Sequence, residues 1–527
     1  MRYALGFLAS LAVSTSAYAA EWWEAKTDHF IVKSESSEEE ARKLALDLER
    51  FDESMRYLYG TAKDTEATPD SSKLTVYHFG DTNDIGRLAG SRGVAGFFIP
   101  RAGQSVAFSP VKEPRQRSLG ARSDEGRGGI DPRVVMFHEY SHYFMFQHAA
   151  AAYPAWYREG FAEVYGTIEL TDKGFKIGAP ATHRSEVLYY LNTYNVERLL
   201  NPPEEINGED IAQIYAMGWM LAHYLTFSGE RRGQLGEYLK LINAGDSSLD
   251  AAKKAFGDLG KLNKDLDKYR RGRTPGMEII YADYTPPNAT TRKLTEAESA
   301  MMMLHIKSTR GVDEDEALTL VAPARDLQAR FPGSAEVQLA VAKAEYDAEN
   351  NVQAEAAANR ALEIDPTLAR AHIYLARVAM RRAEEDKSQF EVARRQYAAA
   401  NRLDPQNADP LKGYYLSYEL AGETPPEPAL IALENAYDLA PFDPGIRTAL
   451  AHLLLTENRD RESIALLGPI INDPHASKRA KKLRDLVRKI EQGDKSGALV
   501  ELAPKFDQDD EEDDDDAILA PSRELQE

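Results

Sequence analysis

The chain has 527 residues, enough for two to four domains, and its 43% hydrophobic content can give each a core. A formal charge of −21 at pH 7 argues against a nucleic-acid partner, whose phosphates it would repel. The chain has no cysteine, which excludes disulfides, thiol catalysis, thiolate metal ligands and the usual N-terminal lipid anchor, so any metal must be held by His, Asp or Glu.

Residues 1–19 read as a secretory signal: Arg2 gives the positive start, Leu5 to Val13 a short apolar run, and Ala17-Tyr18-Ala19 a small-x-small cleavage site. The mature chain is expected to begin at Ala20 or Glu21 and to be periplasmic or secreted. No later segment approaches about twenty uninterrupted apolar residues, so no transmembrane segment is expected in it. His29 to Lys33 predicts a short strand, and Ser37 to Tyr59 an amphipathic helix opened by the capping box Ser37-x-x-Glu40. Lys73 to Phe79 and Ser105 to Ser109 predict two more strands, the second placed as a sheet edge along which a substrate lies extended. The stretch from Lys112 to Gly129, rich in Arg, Gly and Ser, is a long loop. Asp131 as N-cap, with Pro132 at the first helical position, opens a mainly helical region.

That region begins DPRVVMFHEYSHYFMFQHAAAAYPAWYREGFAEVY, residues 131–165. His138-Glu139-Tyr140-Ser141-His142 is an HExxH pentapeptide. Positions four apart on a helix differ by about 40°, so both imidazoles enter the same space and can share one ion, with Glu139 beside them as a general base. Catalytic zinc takes three protein ligands and keeps one position open. His148 has the spacing of a metzincin's third histidine, but Met145 stands where that motif needs a helix-breaking glycine, and an unbroken helix turns His148 about 240° from His142. Glu159 is preferred: the turn Ala152-Tyr153-Pro154 brings a second helix back, and a carboxylate on it completes the set.

With Trp156-x-x-Glu159-Gly160-Phe161-Ala162 following HExxH, the segment resembles the gluzincins, in particular their aminopeptidase N-like branch. The resemblance implies a zinc peptidase whose metal is held by His138, His142 and Glu159. It implies that Glu163 hydrogen-bonds a ligand histidine. Tyr215-Ala216-Met217-Gly218 is similar to that branch's YxxG segment, which implies Tyr215 as donor to the oxyanion. Met217 stands where lysine is usual, and His223 on the same helix is the other candidate for this role. No GxMEN segment lies upstream of His138, so the expected enzyme is an endopeptidase or a specialised hydrolase.

Thr285 to Arg292, containing Pro286-Pro287-Asn288, marks a boundary. Beyond Leu294, proline closes a helical segment at Pro332, Pro366, Pro405, Pro441 and Pro474, spacings of 34, 39, 36 and 33 residues, and small residues such as Ala342, Ala358, Ala376 and Ala398 recur between them. This pattern resembles the tetratricopeptide repeat, and about four or five hairpins fit before Asp473, with Lys478 to Ile490 as a basic cap. Asp507 to Asp516 carries nine carboxylates in ten residues, expected to be a disordered tail.

The expected architecture is therefore α+β. A gluzincin-like zinc metallopeptidase domain (20–284) is followed by a linker (285–293), an all-α tetratricopeptide-like array (294–493) and an acidic tail (494–527). The expected function is an exported Zn2+ peptidase acting on a peptide or protein substrate, with the array binding a protein partner. The alternative is a non-catalytic adaptor in the cell envelope built on a degenerate peptidase scaffold.

Overall fold

In the computed structural model the described residues are 21–61, 68–90, 94, 96–112, 131–148, 151, 153–190, 193–203, 207–471 and 478–505. The signal segment 1–19, the loop 113–130, Ala152 of the expected turn, Pro474 and the carboxylate run 507–516 lie outside them.

The N-terminal half runs β1 (Trp23–Lys26), β2 (Phe30–Ser34), α1 (Glu38–Tyr59), β3 (Leu74–His78), α2 (Thr82–Leu88), β4 (Phe97–Ile99), β5 (Val106–Ser109), α3 (Pro132–His148) and α4 (Ala155–Gly166). It continues with β6 (Glu169–Thr171), β7 (Gly174–Ile177), α5 (Ser185–Tyr190), α6 (Val196–Leu200), α7 (Gly208–Phe227), α8 (Gln234–Asn243), α9 (Ser248–Phe256), α10 (Leu259–Arg270), β8 (Met277–Ile280) and β9 (Thr290–Lys293). Local signals explain the first long helix. Ser37 Oγ accepts the Glu40 N–H at 3.2 Å, Glu38, Glu39 and Glu40 complement the positive helix end, and Gly60 stops the helix at φ +63°.

Six strands form one mixed sheet in the order β4-β5-β3-β2-β1-β9, and β6-β7-β8 form a small antiparallel sheet. Alternate strand residues divide the large sheet between two cores. Phe30, Val32, Leu74, Val76 and Ala107 pack against α1 and α3 through Ala41, Leu48, Met136 and Phe137. Tyr77, Phe97, Ile99, Val106 and Phe108 face the other way. β5 is hydrogen-bonded to β3 on one side and β4 on the other, so it is not the edge expected of Ser105 to Ser109; β4 is the outer strand, because the Phe97–Ile99 segment folds back antiparallel.

The second half is a helical array: α11 (Glu296–Arg310), α12 (Glu314–Arg330), α13 (Ala335–Asp347), α14 (Asn351–Ile364), α15 (Ala369–Arg382), α16 (Gln389–Leu403), α17 (Ala408–Ala421), α18 (Glu427–Leu439), α19 (Pro444–Thr456), α20 (Asp460–Ile471), α21 (Lys478–Glu491) and α22 (Ser496–Glu501). Pro332, Pro366, Pro405 and Pro441 each fall two residues after a helix end, where a missing N–H costs nothing. Ala342, Ala358 and Ala376 are fully buried where helices approach, whereas in α16 that position belongs to Ala393 and Ala400 and Ala398 is half-buried. Residues 496–501, placed by the sequence in the acidic tail, form α22, which packs on α21 with Leu502 buried. Among the described residues no helix is long and apolar enough to cross a membrane.

The two halves are not joined by a free linker. Thr290–Lys293 pairs antiparallel with β1 and closes that edge of the sheet. α11 then lies on the sheet's second face, burying Met302 and Ile306 against Trp22, Tyr77, Phe79, Phe97 and Phe108. Tyr77 Oη lies 2.8 Å from His305 Nε2, and Arg101 donates to the carbonyls of Thr309 (2.5 Å) and Arg310 (3.2 Å) at the end of α11. The proline-rich segment leads into β9 of the sheet, and the apolar face of that sheet takes the first array helix as its cover.

Candidate metal centre

α3 begins as its sequence dictates, with Asp131 Oδ1 accepting the Arg133 N–H at 2.8 Å and Pro132 at the first helical position. The helix runs unbroken through Met145, which is buried, to His148, which is exposed at its last residue and outside the cluster formed by the other two histidines. α4 lies beside α3, and α7 crosses α4 where two glycines meet. A Cβ on Gly160 would lie 2.3 Å from the Gly218 carbonyl oxygen. Only glycine permits that approach, and it brings Tyr215, about one turn before Gly218, over Glu159.

His138, His142 and Glu159 converge in a buried group. His138 Nε2 and His142 Nε2 are 3.2 Å apart, and Glu159 Oε2 lies 3.5 Å from the first and 3.4 Å from the second. Ligands about 2.0–2.1 Å from a tetrahedral ion stand about 3.3–3.4 Å from one another, so this triangle has the dimensions of three corners of a zinc site. Glu159 Oε2, Glu139 Oε2 and His142 Nδ1 have no hydrogen-bond partner among the described residues although all three are buried. Leaving such atoms dry and unpaired costs roughly 1–3 kcal/mol each. Glu139, Glu159 and Glu163 are all buried there, and among the described residues Arg184 pairs with Glu163.

The surroundings set each group's protonation. Burial pushes the Glu139 carboxyl up to about 8, opposed by His138 and reinforced by Glu159 and Glu163. Burial lowers His142. On His138 burial acts in the same direction, but Glu159, Glu163 and Glu139 together outweigh it and raise the imidazole. Glu159 is held well below the usual carboxylate range because the two histidines outweigh its own desolvation.

Glu163, one turn beyond Glu159, does more than the sequence assigned to it. Its Oε1 lies 3.4 Å from His138 Nδ1, but its shorter partners are Arg184 (2.7 and 3.1 Å) and His183 (2.7 Å). The Arg184 guanidinium and the His183 hydrogen bond hold the Glu163 carboxyl low despite burial. Arg184 also lies over the Tyr215 ring, 4.6 Å from its centroid. His183 and Arg184 belong to a short turn before α5, and no motif or spacing marks them in the sequence. Tyr215 is buried, its ring stacked on His138 at 5.8 Å and 10°, its hydroxyl bonded to Glu159 and kept protonated by burial. It sits in the middle of α7, which Asn207 caps two turns earlier. His223 lies elsewhere, between Tyr269 Oη (2.7 Å) and the Gly178 carbonyl (3.1 Å), which leaves Tyr215 as the hydroxyl facing the donors.

No family model matches the chain, and no curated protein matches it. Among solved structures, a thermophilic TPR protein of Thermus thermophilus is similar over 37% of this chain and 99% of its own, at 18% identity and a TM-score of 0.31. The repeat character of the second half rests on its own successive helix pairs and the prolines that end them.

Proposed function

We propose that the chain is an exported zinc-dependent peptidase, with His138, His142 and Glu159 as ligands. The supporting observation is the triangle of buried donor atoms 3.2–3.5 Å apart, next to a buried glutamate with an unpartnered oxygen. Zinc, when bound, supplies Lewis acidity toward a carbonyl oxygen and makes water a nucleophile near neutral pH. Glu139 accepts the proton of the attacking water and returns it to the departing amine; its buried, unpartnered Oε2 leaves it an acceptor for that proton. Tyr215 remains protonated and donates its hydroxyl to the oxyanion that forms on the substrate carbonyl. Glu163 orients the His138 ring from its far nitrogen, and Arg184 holds Glu163. Export rests on the signal-like segment 1–19. A protein partner for the array is supported by its tetratricopeptide-like succession of stacked helix pairs.

The test is hydrolysis of casein and of a mixed peptide library by the zinc-loaded protein and by Glu139→Gln. Turnover lowered about 10³-fold by the substitution supports the proposal. Stoichiometric zinc without Glu139-dependent turnover on any substrate would instead make the chain an adaptor on a peptidase scaffold.

A further inference from the structure

The helical array touches both helices that carry the candidate donors, each time at the residue next in sequence to a donor. On α3, Tyr143 follows His142 and packs its ring on Phe442, 5.3 Å between centroids, with Phe98 of β4 on its other side at 5.5 Å. On α4, Arg158 precedes Glu159; its guanidinium rests on the ring of Phe146 of α3 at 4.8 Å and donates to the Pro469 carbonyl in the last turn of α20 at 3.5 Å. Arg158 is 2% exposed, and a guanidinium so far from water is costly unless its position is fixed by partners.

The joint between α18 and α19 carries a second grip. Asp443 Oδ1 caps α19 by accepting the Ile446 N–H at 2.8 Å, while its Oδ2 accepts the N–H of Ala102, in the loop after β4, at 3.0 Å. One dipeptide, Phe442-Asp443, therefore fixes both α3 and the strand beside it. Consecutive helical residues are rotated by about 100°, so Tyr143 and Arg158 can engage the array while His142 and Glu159 face the metal space.

We propose that the array is an intramolecular clamp that sets the spacing of the metal donors, holding α3 through Phe442 and α4 through the carbonyl end of α20. The claim rests on the metal-centre reading above. A donor triangle of this size tolerates displacements of only about 0.5 Å, and the clamp contacts lie on the two elements whose separation determines it.

The test uses the full chain carrying Phe442→Ala with Asp443→Asn; asparagine still caps α19 but cannot accept the Ala102 N–H in the same way. Three properties are read: the zinc dissociation constant by chelator competition, the absorption spectrum of the Co(II)-substituted protein, and amide exchange in α3 and α4. A constant weakened about 10–100-fold, an altered Co(II) spectrum and faster exchange at 138–148 and 155–166 are expected. Arg395→Met, which breaks the exposed Arg395–Glu391 pair on α16 of the array, should leave all three unchanged. If the double variant does not fold, Phe442→Leu decides, being expected to move the same three quantities by less. Wild-type zinc binding with an unaltered constant in the clamp variant, or an equal loss in Arg395→Met, overturns the clamp alone. A wild type that binds no zinc overturns the metal centre and the clamp together.

Discussion

Gly160 of α4 and Gly218 of α7 meet backbone to backbone: a Cβ on Gly160 would stand 2.3 Å from the Gly218 carbonyl oxygen, and one on Gly218 would stand 2.5 Å from that of Trp156. Two motifs that look like catalytic signatures in the sequence are thus also the crossing point of two helices, and the crossing carries Tyr215 to Glu159. Gly218→Ala must push backbone away from backbone, since no flexible side chain is available to yield. A loss of about 1–3 kcal/mol is expected, read as a lower urea midpoint, with turnover falling further than zinc affinity as Tyr215 moves.

Tyr215→Phe removes only the hydroxyl. The ring still stacks on His138 and under Arg184, but the hydroxyl's bond to Glu159 is lost, so zinc affinity should fall by about tenfold at most. The turnover number should drop about 10²–10³-fold with a smaller effect on KM, because the lost hydrogen bond is made to the transition state.

Arg184→Met leaves the Glu163 carboxylate buried without the guanidinium that donates two N–H groups to its Oε1. A loss of about 3–5 kcal/mol in chemical denaturation is expected, with zinc binding about 10–100-fold weaker as His138 loses its support. Glu163→Gln combined with Arg184→Met should recover part of the stability, since the orphaned charge is then gone.

Acid should loosen the sheet where it meets the array. Burial lowers His78 to about 4 and, together with Lys33, Arg370 and Lys343, holds His305 well below its ordinary value. Both folded values lie below the unfolded value of about 6.5, so the unfolded chain takes up protons first as pH falls. Their contribution to stability is therefore complete above about pH 6.5 and is lost on the way down to about pH 4, on the order of 2 kcal/mol for His78. Urea titrations at pH 7 and 4.5 should show the loss, and His78→Asn, which can keep a hydrogen bond to Ser34, should flatten that part of the curve.

Much of this architecture could be read from the chain because its signals are local. The cap at Ser37, the Asp131-Pro132 helix start and the prolines two residues beyond helix ends act within a few positions, and the HExxH spacing fixes two donors by helix geometry alone. Relations between distant segments were not legible. β5 reads like any amphipathic edge candidate until β4 folds back on it, and residues 290–293 read as linker until β1 presents an open edge. Arg184 and Arg158 carry no motif; their roles come from meeting Glu163 and the end of α20 in space.

The central claim is tested most directly by metal content. The full chain, purified, stripped with chelator and reloaded with zinc, is measured by elemental analysis beside Glu159→Gln and His148→Ala. The account predicts one tightly held zinc per chain in the wild type and in His148→Ala, and a loss of affinity of at least about 100-fold in Glu159→Gln. Zinc retained undiminished in Glu159→Gln, or lost in His148→Ala, would contradict it.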